Sequence, residues 1–201
     1  MSYKIYLSPS NQPDNTYNGV NTNERDNCRA IAQKVKIALE RCGFTVKIGL
    51  NGSKNVEDSN NFKADLHVPI HTNAYNKKAR GTSVMVWDLL AKNLKFAKPV
   101  FNNLKSIVLK QDAGRAISVR KDLTEIKNTK CVTVYIEVDF HDVPEVAKWL
   151  TTKHDLIAET ITKGICEGFG VKYIQNNTLN LEEENNKLRQ KIKAAIDLLS
   201  K

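Results

Sequence analysis

No stretch of the 201 residues approaches the ~18 consecutive apolar positions that a membrane-spanning helix needs, so no membrane insertion is expected. The N-terminus has no secretory-signal architecture of charged, apolar and small-residue regions. Met1 to Leu7 passes straight into a strand pattern. The chain is therefore expected to be made in the cytoplasm and, if it acts outside, to leave by a route other than a Sec signal. The cysteines, Cys28, Cys42, Cys131 and Cys166, form no C-x-x-C pair, which disfavours a thiolate zinc knuckle. Free, mostly buried thiols in a reducing compartment are expected. A dense Lys/Arg tract is also missing. The formal net charge of +9 is spread along the chain, so no nucleic-acid arm is predicted. A basic surface of this kind suits an anionic lipid or an acid-decorated cell wall.

What is present is a hydrophobic fraction of 41% and a charged fraction of 26%, the balance of a globular protein with a full core. Ile5 to Leu7 reads as a strand, followed by a polar loop from Ser8 to Asn23. Ile31, Val35, Ala38 and Leu39 recur at helical spacing, and Gly43 stops that helix. Phe44 to Ile48, Leu66 to Ile70 and Thr82 to Trp87 read as strands, and Val56 to Phe62 as a short helix or a loop. A helix is predicted from about Leu89 to Val108, on Leu90, Leu94, Ala97, Phe101, Leu104 and Val108. Val132 to Val138 is a nearly unbroken apolar run, the pattern of a central strand covered on both faces. Helices follow over Val143 to Leu150 and Leu156 to Phe169. This alternation predicts a single α/β domain, residues 1–175, with a mostly parallel twisted sheet flanked by helices.

Residues 176–201 differ. After a polar break, a heptad places Leu181 and Leu188 at d and Asn185, Ile192 and Leu199 at a. The reading is a linker carrying a short coiled-coil-like helix over 181–199, with homodimer pairing or a further module as its alternative uses.

Three residues stand out as chemistry. His71 lies at a strand end, where an α/β sheet exposes side chains to a ligand crevice. Glu24 opens the first long helix. Glu137 closes the most apolar strand, where a carboxylate is costly unless paired, hydrogen-bonded or metal-bound. A His, a Glu and a third ligand around an open position is the layout of a catalytic zinc site, and a second carboxylate can take the proton from its water. His67 shares a face with His71 but lies ~13 Å up the strand, so it reads as a core histidine. His154 reads as solvated, and Trp87 and Trp149 as packing residues.

The order of these signals resembles the amidase_3 family of N-acetylmuramoyl-L-alanine amidases over roughly residues 3–174. Asn23-Glu24-Arg25 opening a helix resembles the family's metal-binding Glu. Ile70-His71-Thr72-Asn73-Ala74 resembles its S-I-H-x-N-A signature. Arg80-Gly81-Thr82 resembles a K-G-x-E strand start, and Val134 to Phe140 the strand of the catalytic Glu. The family has a His in the first loop, where this chain has Ser8-Pro9-Ser10-Asn11-Gln12. That loop and Phe140-His141-Asp142 resemble a clostridial and phage-type subgroup.

The resemblance implies Zn2+ held by Glu24, His71 and a third ligand, with Glu137 as catalytic residue. The third ligand stays open between Gln12 and His141. Gln12 offers only an amide oxygen, and His141 reaches the site only if the chain turns after Val138. The implied reaction is hydrolysis of the amide between N-acetylmuramic acid and L-alanine in peptidoglycan. The implied setting is a phage or prophage endolysin acting at the cell wall after holin-type lysis. Arg80 or Arg115 would hold stem-peptide carboxylates. The alternative is a catalytically weakened wall-binding or regulatory module of the same fold.

Overall fold

Strand β1 (Lys4–Pro9) leads through the polar loop to helix α1 (Glu24–Arg41), then β2 (Thr45–Ile48). A 3-10 turn at Gly52–Lys54 enters α2 (Asn55–Phe62), followed by β3 (Leu66–Asn73), β4 (Ser83–Val86) and α3 (Ala91–Lys105). The chain continues through β5 (Ile117–Val119), α4 (Thr124–Asn128), β6 (Val132–Thr133), β7 (Tyr135–Phe140), α5 (Pro144–Thr152) and α6 (His154–Phe169). These elements are seen in a computed structural model that describes residues 2–176, 188–193 and 196.

The strands form one sheet in the order β2-β1-β3-β7-β4-β5, with β6 also pairing β3. The β1–β2, β1–β3, β3–β6, β3–β7 and β4–β5 pairs are parallel, and β4–β7 is antiparallel. A mostly parallel sheet flanked by helices is thus the observed architecture.

Local chemistry explains where α1 begins and ends. Asn23 caps it, its side chain accepting from the Asp26 backbone N–H at 2.9 Å. Glu24 and Asp26 occupy the first turn, where the helix dipole favours negative charge. Gly43, at φ +90°, turns the chain away. Between these ends, Ile31, Ala32, Val35, Ala38 and Leu39 are buried at helical spacing.

The register decides which residues meet. Ile5 pairs with Leu66, Leu7 with Val68, and Ile70 with Ile136, so one sheet face is aliphatic. Helices α1, α3 and α6 cover that face and pack on one another. Side chains alternate along a strand, which sends Tyr6, His67, His71, Tyr135 and Glu137 to the other face. Helices α2 and α4 lie on this second face, where Ile126 packs with Met85 and Tyr135.

Several expectations are corrected. The Val132–Val138 run is two strands, β6 and β7, and β7 runs on to Phe140; Glu137 is therefore mid-strand rather than terminal. The turn follows Phe140, not Val138. Segment 56–62 belongs to a helix, α2. Leu90 is 61% exposed and precedes α3, whose buried face is Phe96, Ala97, Val100 and Leu104 with Asn93. Strand β5 and helix α4 are too short to leave a periodic signal. In the tail, residues 188–193 and 196 are helical, with Leu188, Ile192 and Ile196 exposed. Leu181, Asn185 and Leu199 lie outside the described residues.

Candidate active site

Glu24 and His71, 47 positions apart in the chain, come together in the fold. The cap at Asn23 brings Glu24 to the sheet edge of α1, and β3 carries His71 to the same point. Glu24 Oε1 lies 2.9 Å from His71 Nδ1. The other carboxylate oxygen accepts from Asn15 Nδ2 at 2.6 Å, and the Thr72 backbone N–H approaches Oε1 at 3.4 Å. Glu24 is 1% exposed and His71 9%, so water is largely excluded from the pair. Burial pushes the Glu24 carboxyl up, but its hydrogen bonds to His71 and Asn15 outweigh this and hold it below the usual range. Burial pushes the His71 ring down, but the Glu24 hydrogen bond and the charges of Glu137 and Glu24 leave it raised.

Gln12 joins them from the first loop. Its Nε2 lies 3.4 Å from the same His71 Nδ1, and its Oε1 accepts from Asn15 at 2.8 Å. One ring nitrogen can donate to Glu24 or accept from Gln12, but not both. This conflict tests the site for a cation. A divalent ion would take the Nδ1 lone pair, a Glu24 oxygen and, after rotation of the amide, Gln12 Oε1. The donor set fits a metal with two strong ligands and one weak one. Among the described residues, no group of three or more His, Cys, Asp or Glu could hold a metal.

Glu137 stands directly across the β3–β7 ladder from His71. Its Oε2 is closed off from solvent and meets no hydrogen-bond partner among the described residues. Burial pushes its carboxyl up to about 7, with the charges of His71 and Arg120 opposing and that of Glu24 adding. A buried carboxylate oxygen with nothing bonded to it, beside a His–Glu pair, is placed to accept a proton.

His141 lies one step further away. Its Nδ1 is 3.0 Å from Thr72 Oγ1, which is 2.9 Å from the Tyr17 hydroxyl, and the His141 ring stacks on Tyr17 at 5.0 Å. It thus braces the strand whose backbone holds Glu24. Tyr135, which stacks on His71 at 4.7 Å, had no sequence signal beyond its two-residue spacing from Glu137.

The remaining expectations divide. His67 is fully buried, between Ser59 Oγ at 3.0 Å and Glu125 Oε2 at 2.7 Å, as a core histidine should be. His154 is not simply solvated: it is half-buried and meets Asn27 Oδ1 at 3.0 Å, because α6 packs on α1. Trp149 is buried, but Trp87, just past the end of β4, is 38% exposed, with Lys121 Nζ 5.1 Å from its ring centroid. Arg80 pairs with Glu145, and Arg115 lies 4.5 Å above the Phe140 ring. The arginine that acts on Glu137 is Arg120. A cavity of about 760 Å³ lies elsewhere on the second face, between α2 and α4, lined by Ser53, Glu57, Asn60, Glu125 and Lys130 among others.

The Amidase_3 family, described as N-acetylmuramoyl-L-alanine amidase, matches residues 10–167. The CwlD amidase of Clostridioides difficile, solved in complex with the GerS lipoprotein, superposes with a TM-score of 0.75 at 23% identity, over 85% of this chain and 100% of that one. The catalytic domain of CwlV, an N-acetylmuramoyl-L-alanine amidase from Bacillus (Paenibacillus) polymyxa, gives 0.74 at 18%, over 85% and 99%. The catalytic domain of the CD27L endolysin targeting Clostridia difficile gives 0.72 at 21%, over 86% and 99%. At these identities the likeness establishes the fold. No curated protein matches the chain.

Proposed function

Because the chain belongs to the N-acetylmuramoyl-L-alanine amidase family, we propose that it hydrolyses the amide between N-acetylmuramic acid and L-alanine in peptidoglycan, with zinc as its metal. The observation that carries this reading is the pair Glu24–His71 at 2.9 Å with Glu137 opposite His71 in the ladder. Glu24 and His71 would hold the ion. Gln12 is the third ligand of choice, since it contacts His71 directly whereas His141 meets Thr72. When bound, zinc supplies an acidified water and a polarised scissile carbonyl. Glu137 takes a proton from the attacking water and delivers it to the leaving amine of L-alanine. Burial suits it to this, because a base near neutral pH both accepts and returns a proton. Tyr135 and Asn15 keep His71 and Glu24 in place.

The charge of +9 favours an acid-decorated wall, and we place the protein as a phage or prophage endolysin, a role that CD27L also has. Pairing of two copies through the heptad of residues 181–199 belongs to the same proposal. The test is clearing of walls from a Gram-positive, low-GC host, with and without a chelator. Clearing that is lost on metal removal and restored by zinc is expected; clearing that survives thorough removal sinks the mechanism.

A second reading has one observation in its favour. Gln12 stands where the resemblance calls for an imidazole, and an amide is a poor zinc ligand. A module that binds walls without cutting them would hold less than about a tenth of an equivalent of zinc after purification.

A further inference from the structure

Arg120 lies on the same sheet face as the candidate active site, and nothing in the proposed chemistry uses it. It follows β5, where Ser118 pairs with Met85 and the Arg120 N–H donates to Val86 O at 3.0 Å. Alternation therefore puts its side chain on the face of Met85, Tyr135 and Glu137. Asp122 grips one edge of the guanidinium, at 2.8 Å from Nε and 2.7 Å from Nη2. That grip holds the Asp122 carboxyl down at about 2. It fixes the plane of the fork and leaves the Nη1–Nη2 edge outside the ion pair, with Nη1 4.0 Å from Met85 Sδ. Arg120 stays exposed, so a ligand can reach it.

Distance says what it could read. Met85 pairs with Tyr135, two residues along β7 from Glu137, which is ~7 Å of strand. An extended peptide also advances ~7 Å in two residues. A peptide whose first amide sits at Glu137 and which runs along β7 toward Tyr135 brings its second residue to Arg120.

We propose that Arg120 is a specificity-determining residue that clamps a carboxylate on the second residue of the stem peptide, with Asp122 as its positioning residue. The inference rests on the amidase reading above. Peptidoglycan supplies the contrast needed, because that second residue is a γ-linked D-glutamate whose α-carboxylate is either free or amidated. The Nη1–Nη2 edge that Asp122 leaves open can bind a carboxylate through two charge-assisted hydrogen bonds, and a carboxamide cannot accept both.

The experiment measures kcat and KM of the full-length zinc-loaded chain on two soluble muramoyl peptides that differ only in that group. Arg120→Gln is expected to raise KM ~10-fold for the carboxylate form and to leave KM for the carboxamide form unchanged, while any change in kcat from the charge lost near Glu137 is shared by both substrates. Asp122→Asn is expected to raise KM for the carboxylate form by less, since it loosens the fork without removing it. Thermal melting checks that each variant folds. An equal change of KM on both substrates, or none, overturns the role of Arg120 while the amidase reading stands. If Arg120→Gln does not fold, Asp122→Asn and Arg120→Lys decide by the same ratio of KM values. A wild-type chain that cleaves neither substrate overturns the amidase reading itself.

Discussion

Glu137 and His71 face each other across the parallel ladder of β3 and β7. Two side chains 66 positions apart in the chain are thereby held as neighbours by backbone pairing, not by contact between themselves. Their roles should therefore separate on substitution. His71→Ala is expected to lose bound zinc and activity together. Glu137→Gln is expected to keep the metal and lose turnover by ~100-fold or more. Metal analysis beside wall-clearing rates checks this, and equal zinc loss in both variants would mean that Glu137 is a ligand.

The two candidates for the third ligand make different contacts. Gln12 touches His71, and His141 touches Thr72. Gln12→Ala is expected to weaken zinc affinity more than His141→Ala, whose effect through the Thr72 brace should stay within ~10–100-fold. Gln12→His should tighten binding, because imidazole is the better ligand. Competition with a chromogenic chelator measures all three; the reverse ranking would transfer the role to His141.

Asp139 predicts a pH dependence of stability. Its Oδ1 accepts the Gly81 and Phe140 N–H groups at 2.7 and 2.8 Å, and its Oδ2 is buried with no partner among the described residues. Burial pushes its carboxyl up to about 6, against the pull of those two N–H groups. Between about pH 4 and 6 the folded state holds a proton that the unfolded chain has released, so stability falls as pH rises through this window. The loss is ~1–3 kcal/mol, from about 1.4 kcal/mol for each pH unit separating the two values. Asp139→Asn should remove it, raising Tm at pH 8 and changing little at pH 4. A Tm difference that does not vary with pH would contradict this.

Gly164 marks the closest approach of α3 and α6. A Cβ there would lie 2.6 Å from Val100 Cα and 2.8 Å from Val100 N, both backbone atoms. Neither can swing aside, so Gly164→Ala should push the helices apart at ~1–3 kcal/mol. For a domain of this size each kcal/mol lowers Tm by ~2–4 °C. Calorimetry checks it, and an unchanged Tm would mean that the helix pair slides without loss.

The tail proposal is open to a size measurement. Residues 176–201 carry five Lys or Arg and four Asp or Glu, so they contribute little to the basic surface. Leu188 and Ile192 are both exposed on a helix, which suits pairing with a second copy. Removing 176–201 is expected to leave catalysis intact and give a monomer. Light scattering on the full chain decides it: a monomer at ~100 μM, far above a ~1 μM dissociation constant, rules pairing out.

The sequence by itself determined the alternation of strands and helices, because apolar periodicity is a local property that survives without any tertiary contact. It also drew attention to Glu24, His71 and Glu137, since each is a costly side chain next to apolar residues, although only the structure placed Glu137 inside β7 rather than at its end. Register, pairing direction and the chain's turns are not local, and those only the tertiary structure decided. The turn after Phe140 sends His141 to Thr72 and Tyr17, a choice that residue spacing left undecided. Strand β4 runs antiparallel to β7, which puts Met85 and then Arg120 on the face of Glu137. No motif marks Arg120, because its meaning comes from a neighbouring strand, and neighbours across a sheet are set by hydrogen-bonded pairing between segments far apart in the chain.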